Sequence, residues 1–395
     1  DVYKRQGYEL PTLTAGPMDA AVSPDGGRVV YADRGWLWVL DLDTRIARQL
    51  TGGGALDSRP RWSPDGRRIV FVRDDGSDTR IAEVVLASGE ERIVADTDAI
   101  ELDPSYGPDG RVWYASGEEG SIDIWSIDPE TAERTHHAGS GRVARSPQVG
   151  PDGRTLIYLQ KGGGPDRIVA HDLATGEEVA VVASRLLPQT QPALSPDGTR
   201  IAFAQPQAHG DGWELRIASL ERPGASVLLA GGGDHLPLAP AWSPDGAWVW
   251  FSEAGHDQIV RLYRVPAIGG AVEEVGVAGS DAAAEWGRVR LTTTSGGRAE
   301  PVAARISVRD ANGHPLFTAG RVPRFDGQTG RVFFYSDGVV EVEAPAGSVT
   351  VQVARGLEHQ VAERVIDVAP GRTTAVAIDL EPVWSAAAAG WSSGD

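Results

Sequence analysis

Ser23-Pro24-Asp25-Gly26, Ser63-Pro64-Asp65-Gly66, Ser195-Pro196-Asp197-Gly198 and Ser243-Pro244-Asp245-Gly246 are four copies of one tetrapeptide. Gly107-Pro108-Asp109-Gly110 and Gly150-Pro151-Asp152-Gly153 are two more, with Gly in the first place. The six starts are separated by 40, 44, 43, 45 and 48 residues. A period of about 40–45 residues with several strands per repeat is the mark of a β-propeller. Each tetrapeptide reads as a hairpin turn. Pro presets φ at the first corner and has no N–H to give a ladder. Asp tolerates the second corner, and Gly takes the φ > 0 position of a type I turn with a G1 bulge. Asp25, Asp65, Asp109, Asp152, Asp197 and Asp245 are therefore read as turn residues rather than as a set of ligands.

The flanks repeat as well. Three residues before the motif stands a Pro in five of six copies (Pro60, Pro104, Pro147, Pro192 and Pro240), and Ala20 takes that place in the first. Eight residues after the motif start comes an aromatic: Tyr31, Phe71, Tyr158, Phe203 and Phe251, with Tyr114 at seven in the third copy. A third strand follows, as in Trp36-Leu37-Trp38-Val39-Leu40, and then a polar turn and a more variable fourth strand. Four strands per copy make one blade. No window sustains a 3.6-residue apolar period, so almost no helix is expected. The reading for 7–280 is a six-bladed propeller.

Net charge is 37 − 55 = −18. That balance argues against nucleic acid and anionic membrane as partners. There is no cysteine, hence no disulfide and no thiolate chemistry. No run of 18 apolar residues offers a membrane-spanning helix. Residues 1–6 are unlike the rest and can be encoded by a sequence resembling a transposon end used in library preparation. They are read as a processing scar, which leaves the native N-terminus unknown. Residues 8–16 resemble the fourth strand of a repeat and are either the strand that closes the ring or the remnant of an upstream blade; 8–14 are expected to pair as an outer strand at the seam.

From about Trp286 the texture changes. Arg288–Thr294, Val302–Arg309, Arg331–Tyr335, Val339–Glu343, Ser348–Ala354, Ala362–Val368 and Thr373–Leu380 alternate apolar and polar residues between Gly/Asp/Pro turns. Seven such strands predict a small antiparallel β-sandwich over 286–382, with 383–395 as a linker carrying Trp384 and Trp391. The fold class is all-β.

Two resemblances add to this. The repeated turns and strand aromatics resemble the TolB-like six-bladed group, whose propellers serve in many functional contexts. The 286–382 module resembles the prealbumin-like, carboxypeptidase-regulatory type. Arg324-Phe325-Asp326-Gly327-Gln328 with Val332-Phe333-Phe334-Tyr335, then Pro382-Val383-Trp384 and Gly390-Trp391-Ser392-Ser393-Gly394-Asp395, resemble the region just upstream of the catalytic domain in CehA/McbA-type metal-dependent hydrolases. That resemblance implies a His-x-His pair directly after Asp395 and a PHP-like hydrolase domain beyond it, in cis. It implies a divalent metal, such as zinc, in that missing domain and no cofactor in these residues. A periplasmic or secreted location goes with it.

Within the chain no catalytic or metal residues are assigned. None of the eight His forms a metal-ligand spacing, and no Gly-x-Ser-x-Gly elbow is present. The default binding site is the propeller channel. Residues just before each first strand are expected at its mouth: Asp57, Arg59, Glu101, Asp103, Arg145, Gln189, Gln191, Asp234 and His235. Their mix of acids, amides and Arg suits a small polar ligand or a peptide end. Three functions compete: the non-catalytic part of a metal-dependent hydrolase, a stand-alone envelope binding module, and a propeller-type peptidase with its catalytic domain elsewhere. The coding sequence past Asp395 discriminates them.

Overall fold

The computed structural model describes residues 13–138, 142–184, 191–326 and 329–384. The 1–6 segment, residues 8–12, Gln189 and Trp391 lie outside that range. Among the described residues every regular element is a strand, and no helix is long and apolar enough to cross a membrane. The chain divides into two compact units: the first takes the chain up to Gly52 and Leu56–Asp281, the second Gly53–Ala55 and the chain from Ala282.

The first unit holds six antiparallel sheets in chain order, each with its first strand innermost. The inner strands are Met18–Val22, Leu56–Trp62, Glu101–Tyr106, Val143–Val149, Ala193–Leu194 and Pro237–Trp242. Every tetrapeptide is the turn from an inner strand to the second. In the first copy the Gly26 N–H donates to Ser23 O (2.9 Å) and the Arg28 N–H donates to Ser23 Oγ (2.9 Å). The Ser23 hydroxyl in turn donates to Asp25. The motif glycines have φ between +66° and +85°, where a Cβ is strained. The aromatic of each second strand is buried, Phe71, Tyr114 and Phe203 completely. Replacing such a side chain by Ala costs about 3–5 kcal/mol.

Adjacent blades are stitched near the axis. Trp62 Nε1 donates to Ala21 O of blade 1, and Trp242 Nε1 donates to Ala193 O of blade 5, each at 2.9 Å. Arg28 and Arg200 cover these two indoles at 4.9 and 4.8 Å. The ring closes between blades 6 and 1, where Ser252 Oγ donates to Pro17 O at 2.9 Å. A Cβ built on Gly26 would stand 3.6 Å from Pro244, so the turns of blades 1 and 6 are neighbours.

Of the segment 8–14 expected at the seam, only Leu13 and Thr14 are among the described residues. Leu13 and Thr14 form no strand, and Ala15 makes a single parallel bridge to Ile259. The added outer strand is Gly279–Asp281, which pairs in parallel with Ile46, Ala47 and Arg48 of blade 1. A blade's outer edge leaves its backbone groups unpaired, and here the chain leaving blade 6 covers them.

The second unit is a two-sheet sandwich. One sheet runs Val339–Pro345, Trp286–Ser295, Thr373–Leu380; the other runs Arg324–Phe325, Val332–Ser336, Ala304–Arg309, Gly347–Ala354, Ala362–Val368. Val289, Leu291, Val342 and Ile378 of the first sheet and Ile306, Phe334, Val351 and Val353 of the second are buried, on alternating positions. The sheets are not wholly antiparallel. Trp286–Ser295 and Thr373–Leu380 run parallel, from Arg288↔Thr373 to Ser295↔Leu380. A parallel pair needs a long crossover, and the intervening module supplies it. Alternation in sequence reports which face is buried and not the direction of the partner strand. Two short strands, Pro315–Leu316 and Arg324–Phe325, carry no readable alternation.

Candidate functional site

Five of the six inner strands share a backbone irregularity. Register shifts occur between Met18 and Ala21, Ser58 and Arg61, Arg145 and Gln148, and Leu238 and Ala241. Blade 3 has the same shift, opposite Trp113 and Ala115. At each bulge one non-glycine residue is left-handed: Asp19 (φ 55°), Arg59 (55°), Asp103 (53°), Ser146 (54°) and Ala239 (47°). All five stand four residues before a tetrapeptide, directly ahead of the repeated Pro or its Ala20 equivalent. The ring of a following Pro disfavours right-handed α at the residue before it, and the bulge takes that residue to αL instead. A left-handed non-Gly residue costs about 1–2 kcal/mol. Strain of this kind collects where side chains are aimed for a purpose.

The bulge aims side chains at the neighbouring blade. The Asp19 carboxylate accepts the backbone N–H of Arg59, the equivalent residue of blade 2. Arg59 Nη1 donates to Asp103 Oδ1 of blade 3 at 2.5 Å. Asp103 Oδ2 accepts from the Ser146 N–H (3.2 Å), from Ser146 Oγ (3.1 Å) and from Arg145 Nε (3.0 Å) of blade 4. Burial by itself would raise the Asp103 pKa. Arg145 and Arg59 outweigh it and hold the carboxyl well below the usual range. Asp19 has the opposite balance. Burial dominates and raises its pKa, and its Oδ2 has no hydrogen-bond partner.

Arg61 lies two residues further along. Its Nη1 donates to Pro60 O (2.8 Å) and its Nη2 to Gln191 Oε1 (3.0 Å). Arg61 belongs to blade 2 and Gln191 precedes the inner strand of blade 5, on the opposite side of a six-bladed ring. The guanidinium therefore crosses the channel axis. On one side of it is a void of about 10 Å³, bounded by Arg59, Asp103, Ser146 and Gln148, with room for about one water. On the other side opens a vestibule of about 360 Å³. Its rim holds the six turn prolines, Pro24, Pro64, Pro108, Pro151, Pro196 and Pro244. Its wall includes Trp62, Tyr106 and Trp242, and its base Arg61 and Gln148.

Of the nine residues expected at the mouth, Arg59, Asp103 and Arg145 are brought together and Gln191 joins them through Arg61. All three charged groups are buried inside the inner strands or at their bulges, not ahead of them. Asp57 pairs within its own blade, accepting from Arg73 Nε and Nη2 at 2.8 Å each. Glu101 is fully buried, accepting at Oε1 from Thr97 and from Ser116 Oγ (3.2 Å) with Oε2 unpaired. Burial pushes its pKa up to about 7. Asp234 and His235 are exposed ahead of the inner strand of blade 6 and outside the vestibule lining, and His235 Nδ1 meets Glu253 Oε1 at 2.7 Å. Gln189 lies outside the described residues. The turn aspartates are where the repeat puts them. Ser23, Ser63, Ser195 and Ser243 donate to Asp25, Asp65, Asp197 and Asp245, and those bonds, first among the causes, lower the four pKa values.

Sequence reasoning missed Asp19, Arg61 and Gln148. Asp19 was obtainable by alignment, since it holds in blade 1 the place of Arg59 and Asp103. Arg61 and Gln148 stand two residues before their tetrapeptides, which is the other channel-facing place in each bulged strand.

Residues 11–165 match the family described as TolB beta propeller domain, and residues 166–299 the family described as Lipoprotein LpqB beta-propeller domain. The second match runs past the last propeller strand into the first strand of the sandwich. The Tol-Pal system protein TolB of Francisella tularensis subsp. tularensis (strain FSC 198) is 21% identical over 233 residues, 56% of this chain and 52% of its own. The uncharacterized peptidase YuxL of Bacillus subtilis (strain 168) is 27% identical over 205 residues, 47% of this chain and 29% of its own. The match thus spans about half or less of these curated relatives. Among solved structures the tricorn protease superposes with a TM-score of 0.55 at 16% identity, over 91% of this chain and 34% of its own. TolB from Acinetobacter baumannii superposes at 0.49 with 21% identity, over 63% of this chain and 60% of its own. With six closed blades, the repeated turn and these two family matches, the first unit of this chain is a TolB-like β-propeller.

Proposed function

We propose that this chain is a non-catalytic recognition portion of a cell-envelope protein, and that its ligand enters the propeller channel from the proline-rimmed side. The observation that carries this reading is Arg61 crossing the channel floor below a 360 Å³ vestibule with aromatic walls. A volume near 300–1,000 Å³ with apolar walls and few polar groups is the ordinary form of a ligand site.

The finer reading is that the parent protein is a metal-dependent hydrolase of the CehA/McbA type, periplasmic or secreted. Its catalytic domain and divalent metal, such as zinc, would lie beyond Asp395. The sequence resemblance around Arg324–Phe325 and in residues 382–395 supports it. Among the described residues no three His, Cys, Asp or Glu side chains gather, and this reading puts the metal in the further domain. The TolB relatives favour a second reading, a stand-alone binding module of the envelope.

A His-x-His pair encoded just after Asp395 supports the hydrolase parent; a stop codon there supports the stand-alone module. The channel itself is tested by plugging it. Ala241→Phe and, independently, Val149→Phe each fill the vestibule from a different blade. Calorimetric binding of N-acetyl-Ala-Phe should be lost in both while the melting temperature holds. Unchanged binding in both plugged proteins removes the channel from the reading.

A further inference from the structure

The neck is a cationic spot in an acidic protein. Arg59, Arg61 and Arg145 face Asp19 and Asp103 there, a formal excess of one positive charge (3 − 2) in a chain of net charge −18. Asp103 is fully engaged by Arg59 and Arg145. Arg61 is different. Among the described residues no carboxylate comes within ion-pair distance of it, and only two of its five N–H donors are used. The other acid of the neck, Asp19, is almost wholly buried, and that burial raises its pKa.

Arg61 is half-buried at the base of the vestibule, and a guanidinium held there without a counter-ion gains a charge-assisted hydrogen bond when an anion arrives. The vestibule leads to this group and to nothing else charged. Its lining is mainly proline, indole, phenol and small apolar side chains, with Gln148 and Ser105 as further polar groups and the turn serines Ser63, Ser195 and Ser243 beside the prolines. We propose that Arg61 is an anion-recognition residue, and that the vestibule takes a carboxylate carried on a small apolar body. The carboxylate lies against Arg61 and the apolar body against Trp62 and Trp242. The same chemistry is offered by a free aryl- or alkyl-carboxylic acid and by the C-terminus of a peptide ending in an apolar residue. This inference rests on the channel being the binding site, and it adds which group is read there.

The test compares four probes on the full chain by calorimetry: N-acetyl-Ala-Phe, its C-terminal amide, 3-phenylpropionate and 3-phenylpropionamide. Each acid is expected to bind at least about tenfold tighter than its amide, since one charge-assisted contact is worth about 1.5–3 kcal/mol. In Arg61→Gln that gap should close, while Arg61→Lys keeps part of it. A tighter peptide acid identifies a chain terminus as the ligand; equal affinity of the two acids identifies a free acid. Acids and amides that bind equally to the wild type overturn the role of Arg61 and leave the channel reading standing. No binding of any probe at about 1 mM overturns both. The comparison within the wild-type protein holds even if a variant folds poorly.

Discussion

The turns and the neck of the propeller both recur around the ring, the turns in all six blades and the neck bulge in five, and they repeat different things. The turns repeat residues. Pro, Asp and Gly recur because one turn, closed by the Gly N–H on the first residue's carbonyl, is rebuilt in every blade, and in four of them Ser adds a hydroxyl bond to the Asp. The neck repeats only backbone. A left-handed bulge recurs at positions 19, 59, 103, 146 and 239, and its side chains are Asp, Arg, Asp, Ser and Ala. Where the chain reuses a residue, the physics is local and the fold is being built. Where it reuses a conformation and changes the residue, the side chains answer to one another across blades, and the neck becomes particular to this protein.

The sharpest way to break that comparison is to make the same substitution in both rings. Asp103→Asn keeps the αL-tolerant shape but leaves Arg59 and Arg145 buried without their partner. A loss of about 3–5 kcal/mol is expected from denaturant midpoints. Asp65→Asn in a turn removes an exposed carboxylate bonded to Ser63 and to the Arg67 N–H, and about 1 kcal/mol is expected. Equal losses would mean the neck is no more than another turn.

Glu101 sharpens the comparison by pH. Its folded pKa of about 7 lies above the ordinary 4.5, because burial disfavours the carboxylate. The folded state therefore holds a proton that the unfolded chain releases between those values. Stability from this carboxyl is full below about pH 4.5 and is lost as pH rises through 7. Glu101→Gln should be more stable than wild type at pH 8, by up to about 3 kcal/mol, with the difference gone near pH 4. The turn aspartates run the other way. Asp25, Asp65, Asp197 and Asp245 have lowered pKa values, so their contribution is present above the ordinary carboxylate pKa and lost in acid. A Glu101→Gln protein with the wild-type pH profile would remove the buried carboxyl from the account.

Backbone strain gives a third contrast. Gly198 has φ +72°, and a Cβ there would stand 3.0 Å from Pro151. Gly198→Ala should cost about 1–3 kcal/mol. Ala239 already carries a Cβ at φ 47°. Ala239→Gly should be neutral or stabilising by up to about 1 kcal/mol, since the relieved strain offsets the entropy of a new glycine. A clear loss at Ala239 would show that its methyl group packs for a reason the bulge alone does not give.

The smallest expected effect lies outside the propeller. Trp384 is 44% exposed, and its Nε1 donates to Leu357 O at 3.0 Å. Trp384→Ala should lower stability by about 1 kcal/mol or less, because an exposed ring contributes little burial. A larger drop in melting temperature would mean that this indole is covered in solution.

The sequence by itself determined what is periodic and local. The tetrapeptide spacing counts the blades, Pro-Asp-Gly places each first hairpin, and the aromatic eight residues on marks each core strand. Strand alternation after Trp286 located the long sandwich strands, since one buried face leaves a period of two in any sequence. The tertiary structure decided what joins distant segments. The parallel pairing of Trp286–Ser295 with Thr373–Leu380 and the covering of blade 1 by Gly279–Asp281 are contacts between ends of modules. So is the site. Asp57, Glu101 and Asp103 are all acids on inner strands, yet only Asp103 reaches the neck, because a bulge turned it there and the other two sit in regular pairs with Arg73 and Ser116. Arg61 meets Gln191 across 130 residues of chain. That approach exists only once six blades close around one axis.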